Sequence, residues 1–393
     1  MHLHILGIGS IGTLVAHSLR RALPTTHSIS LIHKSPKQQL LFLEKGSISL
    51  ERAGVVSDST SPFIHEIAEY DGAKEKETSP ITTPIESVIV SLKAQYTLNA
   101  IRKLAPRLNS SSTIVLLQNG MGMYELLSRE VFRNPMERPH FILTSNNHGA
   151  FLTRPFHVVH AGIGTIDFGI VPEPYGSPDF EYGLRDEKLP PENRRLRLSD
   201  ITLPGKAEYD RYKSLREVVA ALLLAKDLNC AWVPFSNLQL TMRRKLAVNA
   251  VINPLTGILN CRNGDLFSHQ PARRILHQVC REVSYVFAMQ HQSQIDTWLS
   301  EKNVDPTTVA IPAFPKALSS EALEEEVLRV VKLTKGNISS TLQDTRRGRP
   351  TEIEFIIGYL ENIGHELGID TPALSMLRNL VDLKYFLPLN QIL

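Results

Sequence analysis

The chain has 393 residues, 42% of them hydrophobic and 21% charged, with a formal net charge of +3. This is the composition of an ordinary soluble globular protein, and the length suits two domains, or three. So small a charge imbalance leaves no electrostatic footprint for nucleic acid or an anionic membrane surface.

The opening "HLHILGIGSIGTLVAHSLRRAL" reads as strand, tight glycine turn and helix. Gly7, Gly9 and Gly12 give the spacing G-x-G-x-x-G. The motif needs one glycine for the turn, one for close backbone approach to a pyrophosphate and one for packing helix on strand. The helix start at Ser10 and Ile11 then offers free N–H groups to phosphate. Apolar, β-branched runs follow at 28–34, 87–93, 113–120 and 140–147, with helical segments between several of them, such as 96–108. That alternation predicts an α/β fold with a parallel, doubly wound sheet. Residues 156–171 predict a β-hairpin adding antiparallel strands at one edge. Residues 172–206 are crowded with Pro, Gly and charge, and read as an inserted surface loop or a disordered segment. Helical patterning resumes at 209 and is expected to persist to the end. The domains are therefore expected at 1–236, binding a dinucleotide, and at 237–393, all-α.

At the end of the second strand, an acidic residue would hold the ribose 2′-OH of NAD, and a basic one the 2′-phosphate of NADP. Here that strand ends in His33, Lys34 and Ser35, with Lys37 following. The expected cofactor is NADP(H), with Lys34 contacting the 2′-phosphate. An exposed lysine after a strand is also common without any ligand. Two further strand ends present Lys93 ("SLKA") and Asn119 ("QNGMG"), in positions suited to nicotinamide, ribose or substrate. Read alone, each is equally a strand cap or an Asn-Gly turn.

In "RRKLAVNAVINPLTGILN" (243–260), Lys245, Asn249 and Asn253 recur every four residues through an apolar run. On a helix each lies about 40° round from the last, so they form one polar stripe. Such a stripe costs free energy unless satisfied. It could face a ligand, or it could be a snorkelling lysine with structural asparagines.

The three cysteines (Cys230, Cys261, Cys280) are odd in number and lack CxxC spacing. This argues against a disulfide scaffold or structural zinc and favours a reducing compartment. The fourteen histidines show no metal-binding spacing, and His157 and His160 read as surface or packing residues. Arg346, Arg347 and Arg349 read as a solvated turn. The apolar run 218–225 is too short to span a bilayer. With a first strand starting at His2 or Leu3 there is no room for a presequence, so a cytoplasmic location is expected. A homodimer is compatible with the sequence, which does not determine the oligomeric state.

Taken in order, the glycine motif, "SLKA", "QNGMG", "RRKLAVNAVINPLT" and "SSTLQDTRRGRPTEIEFIIGYL" resemble the ketopantoate reductase family. The resemblance covers most of the chain outside 172–206, and its two C-terminal motifs are the specific ones. It implies an N-terminal Rossmann-like domain, a helical C-terminal domain and an active site in the cleft between them. It further implies reduction of 2-dehydropantoate to pantoate with NADPH. By motif, Lys245 would be the general acid, and Asn249, Asn253 and Ser340 would bind substrate. Glu352 would lie beside cofactor and substrate, Lys93 and Asn119 would complete the lining, and Ala150 would contact the cofactor through its backbone.

Hydride delivered to a ketone leaves charge on oxygen, which needs a proton and a positive field. Lysine, with a reference pKa of about 10.4, supplies both. For Glu352 a structural role is also open. Thr351 and Glu354 would form a capping box, with Ile353, Ile356, Ile357 and Leu360 as the apolar face of the helix. Asp344 is expected to be structural. The alternatives are reduction of another 2-oxo acid on the same fold, or a non-catalytic NADP-binding sensor.

Overall fold

The structure is a computed structural model and describes residues 1–59, 62–67, 83–173 and 178–387. Two units emerge, Met1–Asn119 with Met123–Leu238, and Gly120–Gly122 with Gln239–Leu393.

In chain order the first unit contains β1 (His2–Leu6), α1 (Ser10–Ala22), β2 (Ser28–His33), α2 (Pro36–Lys45), β3 (Ile48–Arg52) and β4 (Val55–Ser59). There follow β5 (Ile64–Ile67), β6 (Ser87–Val90), α3 (Ala94–Leu104), β7 (Thr113–Leu116), α4 (Met123–Glu130) and β8 (His140–Asn146). It closes with β9 (Gly149–Arg154), β10 (His157–Gly162), β11 (Ile166–Ile170), α5 (Tyr182–Arg185), α6 (Leu198–Ile201), α7 (Tyr209–Leu224) and β12 (Cys230–Trp232). The main sheet runs β12-β11-β8-β7-β6-β1-β2-β5. Every pairing from β5 through β8 is parallel, while β11 joins β8 antiparallel. Its strands are near-continuous buried runs, as a sheet covered on both faces requires. Leu3, Ile5, Ile29, Leu31, Ile89 and Val115 are at most 1% exposed. Chain order reverses at β1, which has β2 on one side and β6 on the other. In such sheets ligands bind at the carboxyl ends of the strands beside that switch point.

The hairpin expected at 156–171 does not form. β10 turns back on β9 and also pairs with β3, in a second sheet ordered β4-β3-β10-β9. β11 crosses to the main sheet instead. The tight turn lies at Phe156, which holds φ +58 and is buried among the aromatic rings of Phe42 and His33. That packing sets the reversal between β9 and β10. His157 and His160 are buried in this sheet, so of the two expected roles they take packing.

The 172–206 stretch also departs from expectation. Residues 174–177 lie outside the described residues, but the remainder carries α5 and α6 and is anchored by buried Phe180 and Ile201. Asp200 accepts the Gly183 N–H at 3.0 Å, and Arg197 pairs with Asp186 at 3.3 Å. Nor is the chain helical from 209 onward without a break. After α7, the strand β12 pairs with β11, as its short β-compatible "CAW" allows once an edge is available.

The second unit is helical. α8 (Phe235–Leu259) enters it at Gln239. It is followed by α9 (Gln270–Lys302), α10 (Ser320–Leu333), α11 (Ser340–Arg346), α12 (Ile357–Glu366) and α13 (Pro372–Phe386). Leu246, Val251, Val283, Val327, Leu360 and Leu374 meet in its core. Thr351 and Glu354 form no capping box. A 3-10 turn (Ile353–Phe355) intervenes and α12 starts only at Ile357. Glu354 is drawn off instead to Arg378. The apolar face itself is as expected, with Ile353, Ile356, Ile357 and Leu360 all buried. Among the described residues no helix is long and apolar enough to cross a membrane.

Candidate active site

The glycine turn sits directly after β1, at the switch point. Gly7 holds φ +100, a conformation that favours glycine, and a Cβ there would come 2.8 Å from the Leu92 backbone nitrogen. A Cβ on Gly12 would be driven into the Gly7 carbonyl oxygen. Over Gly9, by contrast, nothing lies within 4 Å of where a Cβ would be. Two glycines are thus required by packing, while the third leaves open space beside a helix start. α1 has no side-chain cap, and its first turn holds no acidic residue. The N–H groups of Ser10, Ile11 and Gly12 have no intrahelical acceptor by geometry, which is the arrangement that favours an anion.

The end of β6 adjoins this turn. Ser91 donates its hydroxyl to the Gly7 carbonyl at 2.5 Å, so it fixes the turn from the neighbouring strand. The sequence reading did not single Ser91 out, although it lies in the "SLKA" motif. Lys93 follows as the residue before α3 and is half-buried. Asn119, half-buried, follows β7. At the end of β2, His33 is fully buried and bonded to His65 at 3.0 Å, and burial lowers its pKa to about 4. It offers no charge to a ligand. Lys34 and Lys37 are exposed, flanking the Ser35 cap of α2. Ala150 lies in β9, opposite His160 in the second sheet, shortly after the carboxyl end of β8.

In the second unit, α8 carries Lys245, Asn249 and Asn253 on one stripe, while Leu246, Ala247, Val248, Ala250, Val251 and Ile252 are buried. Lys245 and Asn249 are half-buried, and Asn253 is 7% exposed. The Asn253 side-chain amide donates to the Ser340 hydroxyl at 3.4 Å, which joins α8 to the first residue of α11. Burial lowers the pKa of Lys245 to about 8, against the raising effect of the nearby Glu352 carboxylate. Glu352 is buried in the residue before the 3-10 turn. The Met121 N–H donates to the Phe355 carbonyl at 2.9 Å, and Gly122 lies under the Tyr359 ring. Within the second unit, Gly120–Gly122 are therefore tied to the turn that follows Glu352. Asp344 is buried, and its carbonyl accepts the Arg347 and Arg349 N–H groups, a structural place.

A glycine turn at the switch point of a doubly wound sheet, followed by a helical unit with a lysine–asparagine stripe, defines the class of two-unit Rossmann-type chains. Comparison with known proteins narrows this. The family model described as ketopantoate reductase PanE/ApbA matches residues 3–173, and its C-terminal counterpart matches residues 237–385. The chain belongs to the ketopantoate reductase family. Among relatives, it is 26% identical over 373 residues to a probable 2-dehydropantoate 2-reductase of Schizosaccharomyces pombe, covering 93% of this chain and 91% of that one. The 2-dehydropantoate 2-reductase of Saccharomyces cerevisiae is 25% identical, with 94% and 89% covered. A ketopantoate reductase structure from Ralstonia eutropha JMP134 aligns over 98% of both chains with a TM-score of 0.64 and 19% identity. A ternary structure of D-mandelate dehydrogenase with NADH and anilino(oxo)acetate also aligns over 98% of both, at TM-score 0.65 and 18% identity. These two likenesses attest the fold.

Proposed function

We propose that the protein is a cytoplasmic 2-dehydropantoate 2-reductase, reducing the ketone of 2-dehydropantoate to pantoate in pantothenate biosynthesis with NADPH. The observation that carries this reading is Lys245, a half-buried ammonium on the asparagine stripe that titrates at about 8 beside a buried carboxylate. A general acid works best when its pKa is near the working pH. At pH 7 this lysine is still mostly protonated, yet it releases its proton far more readily than an ordinary lysine.

NADPH, when bound, supplies the hydride. The first unit holds it, with the Gly7–Gly12 turn and the Ser10, Ile11 and Gly12 N–H groups on the pyrophosphate. Lys34 takes the 2′-phosphate. Lys93, Asn119, Ala150 and Glu352 contribute further cofactor contacts, Ala150 through its backbone. Asn249, Asn253 and Ser340 orient the hydroxy-acid chain, with Lys93 and Asn119 adding to the substrate lining. Lys245 then passes a proton to the oxygen as charge develops on it. In domain terms, residues 1–236 serve the cofactor and 237–393 the substrate. Two features support the choice of NADPH. The end of β2 bears two exposed lysines and no acidic residue that could accept a ribose hydroxyl.

Following absorbance at 340 nm with NADPH and NADH, against 2-dehydropantoate and a panel of other 2-oxo acids, tests the whole reading. Turnover of 2-dehydropantoate with preference for NADPH is expected. Faster turnover of another 2-oxo acid would replace the substrate, and tight NADPH binding with no turnover would replace the enzyme by a sensor.

A further inference from the structure

We propose that Thr256 is a positioning residue for the substrate end of this site, acting through Ser339 to hold Ser340 against Asn253. This deepens the reading above and rests on it. Thr256 is fully buried on α8, three residues and so just under one turn beyond Asn253. A buried hydroxyl must be satisfied, but its own helix already does this, because Thr256 Oγ1 reaches the Ile252 carbonyl at 2.7 Å. The Ile252 and Asn253 carbonyls could satisfy it without any contact to α11. Thr256 Oγ1 also donates toward Ser339 Oγ at 2.7 Å, so its one hydrogen is shared between this bond and the Ile252 and Asn253 carbonyls.

Ser339 is the residue that starts α11. Its hydroxyl caps that helix by accepting the Leu342 N–H at 3.0 Å. A hydroxyl that both caps α11 and grips α8 fixes where the next residue, Ser340, can be. The seam continues on the other side, where a Cβ on Gly257 would come 2.8 Å from Thr341 Cγ2. So α11 approaches α8 as closely as a glycine permits. Asn253–Ser340, Thr256–Ser339 and Gly257–Thr341 form one register, and the last two pairs set the spacing of the first. The Asn253–Ser340 bond is long at 3.4 Å, so each partner keeps hydrogen-bonding capacity for a substrate carboxylate or hydroxyl, and their separation governs the fit.

The experiment measures KM and kcat for 2-dehydropantoate, KM for NADPH and thermal stability for wild type, Thr256→Val and Thr256→Ser. Loss of one well-placed hydrogen bond predicts a rise of about 5- to 10-fold in KM for the 2-oxo acid. The KM for NADPH should stay within about twofold, and Thr256→Ser should restore the wild-type value. In a Ser340→Ala background, Thr256→Val should add nothing further, since the two act as a unit. If Thr256→Val does not fold, Thr256→Ala gives the same reading with a smaller side chain. A folded variant with unchanged KM overturns the proposal. So does a fall in stability and kcat with KM unmoved, or an undiminished effect in the Ser340→Ala background. Failure of the wild type to reduce any 2-oxo acid would instead remove the functional reading itself, and the proposal with it.

Discussion

Burial pulls the Lys245 ammonium down to about 8, and the Glu352 carboxylate, on the turn before α12, works against that pull. The direction of each effect fixes a pH dependence. If Lys245 is the general acid proposed above, reduction needs the ammonium form, so kcat/KM should be level near neutrality and fall as pH rises through about 8, by tenfold per unit beyond it. Glu352→Gln removes the raising influence, so its falling limb should move to lower pH and its rate at pH 7.5 should drop. Rate profiles of both forms between pH 6 and 10 check this. A limb displaced upward in Glu352→Gln would show that another group sets the titration. Lys245→Ala should lose roughly 10²–10⁴ in kcat, the usual worth of a general acid.

On the proposed reading, cofactor choice would rest on two side chains at the end of β2. His33 is buried and bonded to His65, which leaves Lys34 and Lys37 as the exposed charges there. A charge-assisted bond to phosphate is worth about 1.5–3 kcal/mol. The double substitution Lys34→Ala/Lys37→Ala should therefore raise KM for NADPH by roughly 10- to 100-fold and leave that for NADH little changed. The ratio of kcat/KM for the two cofactors is the measurement. An equal loss with both would place the lysines away from the 2′-phosphate.

Stability of the helical unit depends on a cap supplied from another helix. Glu282 on α9 is buried, and its two carboxylate oxygens accept the Ala373 and Leu374 N–H groups at 2.9 and 3.0 Å, at the start of α13. Thr371, the residue before that helix, makes no side-chain cap of its own. Glu282→Ala should cost about 3–6 kcal/mol, the sum expected for two charge-assisted bonds to orphan N–H groups. Glu282→Gln, which keeps one acceptor oxygen, should fall between. Urea denaturation reads both, and an Ala variant as stable as wild type would mean α13 is capped by other means.

The class of fold could be read from residues 1–150 because the signals there are local. A strand, a glycine turn and a helix follow one another in the opening 22 residues, and each buried parallel strand is a short unbroken apolar run. What was not legible depended on partners distant in sequence. β10 could pair with either neighbour, and the choice fell to the packing of Phe156 on Phe42, more than a hundred residues away. Glu354 looked like a cap until Arg378 drew it away. Likewise, Lys245, Asn249 and Asn253 declare a polar stripe by spacing alone. The Thr256–Ser339 contact spans 83 residues, and two ordinary hydroxyls give no signal of it.

Acid should weaken the first unit in two stages, and the sign follows from each group. Burial lowers His17 to about 4 even though its ring nitrogen meets the Ser57 carbonyl, and burial with the adjacent His65 lowers His33 to about 4. Above about pH 6.5 these imidazoles are neutral in both folded and unfolded chains and make no pH-dependent contribution. Below it, the unfolded chain takes up protons that the folded one refuses, so stability falls, by about 2 kcal/mol per imidazole at pH 5. Glu66 behaves differently. Burial disfavours its charge, but the bonds from His4 and Arg107 prevail and hold it at about 2. Its depressed pKa contributes stability that is present above about 4.5 and is lost as pH falls toward 2. The onset of destabilisation should thus lie near pH 6.5 and belong to the histidines. His33→Phe, placed among Phe42 and Phe156, should flatten the fall in urea midpoint between pH 7 and pH 5, while Glu66→Gln should leave the slope of that interval unchanged. A slope that persists in His33→Phe, with the His17→Phe slope also at the wild-type value, would assign the titration to other groups.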